Sequence, residues 1–335
     1  MRTLVLRILS WAVPDFAFAS CLPGVEPAVK LEVKRDRADL TFAFSRPGLV
    51  TFKSTREIAP DDPSGSAFAR VWGRSIGVVA DPAAAAEQIA ALGATRVHAF
   101  SREPDDPGDV ERWQALGPGG AAQDGELVAD LFVPPGLASG EAAWLGVHRH
   151  HPVLPPYAGG TFGVEVPPDA PSRAFAKIEE AIAWARLPMS GGQVVLEIGA
   201  APGGAVLALA RRGLTVWGVD TGELAPNVLA LPNVHHLAKK VGAVRWEELP
   251  AHIDWLLVDV NLAPQVALHE IARLMPKLRP TLRGAVITLK MNDWSFVAEL
   301  PKLVARIREL GLPEVRLRHL PSNRREICAV ALPGT

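Results

Sequence analysis

Cysteine is almost missing from this 335-residue chain. Cys21 and Cys328 are the only two, too few and too far apart for a disulfide framework or a set of zinc ligands, and they fit a reducing cytosol. Uninterrupted apolar sequence is missing too. No segment reaches the roughly 20 residues that a membrane-spanning helix needs, so no membrane partner is expected. The opening stretch MRTLVLRILSWAVPDFAFASC has the outline of a secretory signal, but Arg7 splits its apolar run and Pro14-Asp15 interrupts it, which argues against export and for a cytoplasmic protein. Net charge is close to nil at −1, and only its distribution is informative. Residues 1–60 hold 9 basic and 6 acidic side chains, 61–171 hold 6 and 15, and 172–335 hold 20 and 15, so balances of +3, −9 and +5 sum to −1. A modestly basic end beside an acidic middle is compatible with nucleic-acid binding, which depends on a local patch, and does not demand it.

What the chain does have is apolar sequence, 48% of its residues, enough for a substantial core and, at this length, for two domains. Up to about residue 80, short runs such as LVLRIL, KLEVKR, DLTFAF and LVTFKS alternate apolar with polar between Pro, Gly and Asp, a pattern that predicts a strand-rich α+β region. DPAAAAEQIAALG predicts a helix with Pro82 in its first turn and Gly93 at its end. SREPDDPGD and ALGPGGAAQDGE read as loops, and GVHRHHPVLPPYAGGTFGVEVPPDAP as a linker that divides the chain into residues 1–165 and 166–335. The HRHH at 148–151 is expected to be an exposed polar stretch, because no carboxylate or cysteine stands at a ligand spacing; no metal site is expected.

Past residue 165 helices alternate with short apolar strands. QVVLEIG, LTVWGVD, IDWLLVDV, GAVITLK, EVRLRHL and REICAVAL predict strands; 172–186, 203–212, 264–278 and 295–310 predict helices. Near-continuous apolar strands separated by helices imply a parallel sheet covered on both faces, and the short LPSNRRE connection makes the last two strands an antiparallel pair. The expected fold is α/β, a Rossmann-like, mostly parallel sheet ending in an antiparallel hairpin, preceded by a smaller α+β domain.

The stretch LEIGAAPGGAVLALARRGLTVWGVDTG is a strand, a glycine-rich turn, a helix and a second strand ending in an acid. Gly199 follows the strand and Gly203-Gly204 open the helix, so the backbone can approach a ligand and offer helix N-terminal amides. The dinucleotide fingerprint G-x-G-x-x-G is absent: the run is G-x-x-x-G-G, with Ala201-Pro202 where the second glycine would stand. Such a turn suits a carboxylate better than a pyrophosphate, and Asp220 is placed to accept from a ribose diol. A merely structural turn is equally open on the glycines alone.

With these residues in view, the sequence resembles the FtsJ-like group of S-adenosylmethionine-dependent RNA ribose 2'-O-methyltransferases. The resemblance rests on SRAFAKIEE with Lys177, GAAPGG, LLVDV with Asp259, ITLKM with Lys290 and SNRREICAVAL with Glu326. PPDAPSRAFAKIEEA, VDTGELA and, in the first half, FARVWGRSIGVV resemble in particular the RlmM-like branch, whose members methylate a cytidine ribose of bacterial large-subunit ribosomal RNA and carry an RNA-binding THUMP domain ahead of the catalytic one. The likeness is strong over 167–332 and faint before it. It implies a THUMP-like RNA-binding domain in residues 1–165 and a catalytic domain in 166–335. S-adenosylmethionine would lie along Gly199, Ala200, Ala201, Pro202, Gly203, Gly204, Asp220 and Asp259, and Lys177, Asp259, Lys290 and Glu326 would carry catalysis. The partner would be ribosomal RNA or a precursor ribosomal particle, and a monomer is expected. Lys239-Lys240 departs from the family, which has an acidic pair near the adenine at that point.

Methyl transfer from a sulfonium needs the acceptor hydroxyl positioned and its proton removed. A lysine serves as the base only if its pKa falls from about 10.4, and two lysines in one site would supply the repulsion. By family analogy Lys290 is that base. Taken singly, Lys177 also reads as a solvated helix lysine and Glu326 as a rim partner of Arg324-Arg325. Asp259 and Lys290 end apolar strands, where such folds place ligands. Arg173, Arg324 and Arg325 flank the motif residues and are candidate RNA contacts, or else a solvated basic face. A ribosome-assembly protein with this fold and no turnover is the alternative; a nicotinamide dehydrogenase is disfavoured by the missing fingerprint.

Overall fold

The computed structural model describes residues 15–103, 106–136 and 142–334. In the first half, strands β1 (Phe16–Ser20), β2 (Leu40–Arg46), β3 (Leu49–Ser54), β4 (Val71–Val79), β5 (Arg96–Ser101), β6 (Leu127–Val133) and β7 (Ala143–Arg149) form one sheet, ordered β2-β3-β1-β4-β7-β6-β5. β5 and β6 run parallel and the other neighbours antiparallel. Helices α1 (Glu26–Asp36), α2 (Pro82–Leu92) and α3 (Val110–Gln114) accompany it, which makes this half α+β. α2 is bounded by local chemistry. The Asp81 side chain accepts from the Ala84 amide at 2.9 Å, Pro82 needs no amide partner, and Gly93 takes the left-handed conformation at φ +70°.

Two expectations, for KLEVKR and for HRHH, are corrected here. KLEVKR is not a strand but the body of α1: its apolar residues also recur at helical spacing, with Val29 and Val33 buried, and Pro27 opens the helix. The end of the signal-like stretch is β1, paired on both sides within the sheet; LVLRIL lies outside the described residues, as do two residues of SREPDDPGD. HRHH is not exposed throughout. Its first two residues finish β7, and His148 and His150 are 2% and 4% exposed. His148 Nδ1 sits 2.5 Å from Oδ2 of the fully buried Asp130, a partner from β6 that local spacing could not reveal. Burial holds His150 down at about 4, and it holds His98, on β5 beyond β6, below its ordinary value. Among the described residues no group of three or more His, Cys, Asp or Glu could hold a metal ion.

The second half runs α4 (Ala174–Ala185), β8 (Val194–Ile198), α5 (Gly204–Arg211), β9 (Thr215–Asp220), α6 (Pro226–Leu229), β10 (Val234–Ala238), β11 (Trp255–Val258), α7 (Pro264–Leu278), β12 (Gly284–Lys290), α8 (Leu300–Glu309), β13 (Glu314–Arg318) and β14 (Glu326–Leu332). The sheet order is β10-β9-β8-β11-β12-β14-β13. β8 through β12 are parallel, and β14 runs antiparallel between β12 and β13, so the expected closing hairpin is present. This is a Rossmann-like sheet. Its strands read apolar because both faces are covered, as in the fully buried Trp255–Val258. β10 escaped the sequence reading because His235-His236 interrupt an edge strand that need not be apolar. The helix expected over 295–310 begins as a tight turn, Trp294–Glu299, and becomes α-helical at Leu300.

No helix among the described residues is long and apolar enough to cross a membrane. The two halves share apolar packing: one cluster contains Val29, Phe68 and Trp72 from the first half and Leu196, Ile287 and Leu300 from the second. Phe68 meets Trp294 edge-on at 5.8 Å, the Trp294 indole donates to the Gly24 carbonyl at 2.8 Å, and the His319 amide donates to the Ala67 carbonyl at 2.8 Å. A shared core should unfold as a unit. Denaturant titrations followed by far-UV circular dichroism and by tryptophan fluorescence should coincide, and Phe68→Ala should lower stability by about 3–5 kcal/mol. Two separated transitions in the native chain would contradict the shared core.

Candidate active site

Four elements converge at the carboxyl end of the second sheet. Lys177 stands in the first turn of α4, Asp259 follows β11, Lys290 ends β12, and Glu326 begins β14. Sheet register makes Lys290 and Glu326 direct cross-strand partners. Lys290 Nζ lies 2.7 Å from Asp259 Oδ1 and 2.7 Å from Glu326 Oε2; Lys177 Nζ lies 3.1 Å from Asp259 Oδ2 and also pairs with Glu326 Oε1. The result is a closed ring of alternating charge. The side chains are between 8% and 21% exposed, so the ring touches solvent without being dissolved in it.

The bland alternatives for two of these residues do not describe what is seen. Lys177 has no partner in its own KIEE run: Glu179 holds Arg212, and Glu180 accepts from the Ser322 amide and hydroxyl at 2.9 and 2.8 Å. Glu326 pairs with the two lysines and not with Arg324 or Arg325, which are exposed.

The ring sets its own protonation. Burial works against the ionised forms of Asp259, Glu326 and Lys290, but the neighbours outweigh it. The two lysines hold Asp259 and Glu326 below the usual carboxylate range, and Asp259 and Glu326 hold Lys290 above the usual lysine value. Repulsion between the lysines was expected to lower Lys290, with Asp259 and Glu326 acting the other way. Lys290 has two carboxylates against one like charge, and their attraction wins while the ring is closed.

Beside the ring lies a cleft of about 620 Å³, within the usual range for small-molecule sites. It opens at the carboxyl ends of β8, β9 and β11, where the chain order reverses and such sheets hold ligands. Of the residues expected to hold a cofactor, Gly199, Ala201, Asp220 and Asp259 line it; Ala200, Pro202, Gly203 and Gly204 do not. The glycines have another duty. A Cβ on Gly199, at φ +90°, would stand 2.5 Å from the Asp259 carbonyl, and one on Gly204 would stand 2.3 Å from Ser172 Oγ. The glycine turn thus seats the segments that carry Asp259 and Lys177. Asp220 also braces it, accepting from the Ala201 amide at 3.0 Å and the Gly222 amide at 2.8 Å.

Lys239 and Lys240 line the same cleft, but Lys239 is paired with Glu248, and Glu270 of α7 lines the wall nearby. Acids are therefore present on that side, supplied from segments that the family pattern does not mark. Sequence reasoning also passed over Glu197, an acid inside an apolar strand. It is 2% exposed and borders a cavity of about 30 Å³, room for a single water, together with Lys177 and Asp259. Burial, then the charges of Asp259 and Asp220, raise it well above the ordinary carboxylate value. The isolated charge in VVLEI was the available signal. Arg173, Arg324 and Arg325 are all exposed beside the ring-bearing segments, and Arg173 Nη1 donates to the Ser322 carbonyl at 3.3 Å.

The ring's contribution to stability has a defined pH window. Depressed carboxylates stabilise the fold above their ordinary range and lose that effect as pH falls; Lys290, raised, contributes below the ordinary lysine value and loses its effect above it. Lys290→Met should therefore cost about 2–3 kcal/mol at pH 7, somewhat less than breaking a fully buried pair, and less as the carboxylates are protonated below about pH 4. Denaturant titrations at both pH values check this; an equal penalty at each would contradict it.

No family model matches the chain. Proteins named Ribosomal RNA large subunit methyltransferase M are similar to it. One from Chromohalobacter salexigens is 30% identical over 51% of this chain and 50% of its own length. Another, from Halorhodospira halophila, is 38% identical over 50% of this chain and 49% of its own. The chain spans about half the length of the curated relatives it matches. Among solved structures, a Burkholderia thailandensis 1,6-didemethyltoxoflavin-N1-methyltransferase covers 50% of this chain and 80% of its own at 21% identity and a TM-score of 0.39. The Methanococcus jannaschii fibrillarin pre-rRNA processing protein covers 48% and 76% at 13% identity and a TM-score of 0.37. These structural likenesses are too slight to bear on the chemistry. Over about half its length, the chain is similar to the large-subunit ribosomal RNA methyltransferase M proteins, the branch that its motifs resemble.

Proposed function

We propose that this protein is a cytoplasmic S-adenosylmethionine-dependent methyltransferase acting on ribosomal RNA, and that the acceptor is the 2'-hydroxyl of a ribose, in a cytidine of the large-subunit RNA. The observation that carries the reading is the closed Lys177–Asp259–Lys290–Glu326 ring, which shares Asp259 with the adjoining cleft. The names of the relatives support ribosomal RNA as the substrate.

The cleft fits the cofactor in size, and Asp220 in its wall is placed to accept from a ribose diol. When bound, S-adenosylmethionine supplies an electrophilic methyl group carried on positively charged sulfur. The protein's task is then to orient a weakly acidic hydroxyl and accept its proton. Asp259 faces both ways, lining the cleft and holding both lysines. Positive charge in the cleft draws on that carboxylate and adds repulsion, which favours the neutral form of one lysine. Lys290 Nζ then takes the hydroxyl proton, while Lys177 keeps its contacts with Glu326 and Asp259. Arg173, Arg324 and Arg325 hold phosphates around the acceptor nucleotide, and the N-terminal α+β half engages the RNA in the manner of a THUMP domain.

Lys290→Ala should lower methyl transfer by at least about 10²-fold, the low end for loss of a general base, with cofactor affinity undiminished. Tritiated S-adenosylmethionine with unmodified ribosomal RNA measures the first, and calorimetric titration of the cofactor the second. Full activity in that variant would remove the assigned role. Incorporation into a base rather than a ribose would overturn the 2'-hydroxyl assignment.

A further inference from the structure

A second cleft, of about 330 Å³, lies in the N-terminal half away from the ring. Ser20, Arg70, Phe100, Ser101, Arg102 and Thr161 are among its walls, and no Asp or Glu is among the described residues that line it. Arg70 is only 9% exposed and forms no ion pair among the described residues. Its Nη2 donates to the Pro321 carbonyl at 2.9 Å, and its Nε is buried with no partner. The carboxylate that acts on it most, Glu180, already accepts from the Ser322 amide and hydroxyl. Behind Arg70 stands a second arginine, Arg318, which donates to the Arg70 carbonyl at 2.8 Å and likewise has no ion pair among the described residues. Buried charge without a counter-charge is costly, and an arginine fork of this kind matches a phosphate.

The surrounding polar groups have the same preference. Ser20 Oγ accepts from the Val71 amide at 2.9 Å, which leaves its hydroxyl proton to donate. The linker closes the site through Gly159 and Gly160, at φ +68° and +71°; a Cβ on Gly160 would stand 2.7 Å from Arg70 Cβ. Cys21, also in the wall, is kept protonated by burial and is no nucleophile.

We propose that this cleft binds one phosphate group of the RNA backbone through Arg70, with Arg102 and the Ser20 hydroxyl beside it. The inference rests on the RNA-directed function proposed above. Through Pro321 the same arginine is fastened to the segment that leads to Arg324, Arg325 and Glu326, so a phosphate held there bears on the placement of the acceptor nucleotide.

The test uses the full chain and a labelled single-stranded ribosomal RNA fragment, with affinity measured over a range of KCl concentrations. Arg70→Met should weaken binding about tenfold and flatten the slope of log K against log salt by about 0.7, the share of one phosphate contact, with S-adenosylmethionine affinity unchanged. Arg102→Met, at the wall of the cleft, should show the same change in slope and decides the matter if Arg70→Met does not fold. Native affinity and slope in the folded variants would overturn the proposal. So would a melting temperature raised by inorganic phosphate in the native chain but not in the variants, with RNA binding unaltered, because the site would then take free phosphate. If the native chain binds S-adenosylmethionine but no RNA, the functional reading itself fails, and the variants are not its cause.

Discussion

The geometry of the second half depends on one constraint: two lysines and two carboxylates must meet where a helix, two parallel strands and an antiparallel strand end. Each residue alone would be an expensive half-buried charge. Together they are neutral, and each charge has two opposite neighbours, so the cost of leaving water is shared around a ring. Much of the local architecture serves that meeting. β14 enters antiparallel beside β12 and so sets Glu326 opposite Lys290, Gly199 lets the end of β8 press on the Asp259 backbone, and Gly204 lets α5 press on the segment that begins α4.

In the function proposed above, a lysine whose pKa is raised can still belong to a proton-transfer site because of the ring. In the free protein the carboxylates keep Lys290 charged, which holds the fold together at neutral pH. Asp259 is also a wall of the neighbouring cleft. The group that holds Lys290 charged is thereby a group exposed to a cation placed in that cleft. On the proposed mechanism, stability and readiness to accept a proton are two states of the same four side chains.

Some of this could be read in the sequence and some could not. α7 was legible to the residue because Pro264 starts it and apolar residues recur at helical spacing; the closing hairpin was legible from apolar strands joined by a short polar turn. The four charges were legible as motif positions, and the structure brings all of them within bonding distance. KLEVKR was misread because a short alternating run satisfies both periods. The buried His148–Asp130 pair, the Lys239–Glu248 pair and the lone buried Arg70 depend on partners or neighbours brought from elsewhere in the chain, which no local spacing encodes. The duties of Gly199 and Gly204 towards neighbouring backbone were hidden for the same reason.

The central claim is that the ring holds Lys290 charged until positive charge enters the cleft. The direct measurement is an NMR titration of ε-carbon-labelled lysine, with Lys290 assigned by substitution, in the free protein and with S-adenosylmethionine or S-adenosylhomocysteine, which lacks the sulfonium charge. Lys290 should titrate above the ordinary lysine value in the free protein, fall with S-adenosylmethionine, and move little with S-adenosylhomocysteine. A Lys290 already below the ordinary value without ligand, or one indifferent to S-adenosylmethionine, would contradict the account.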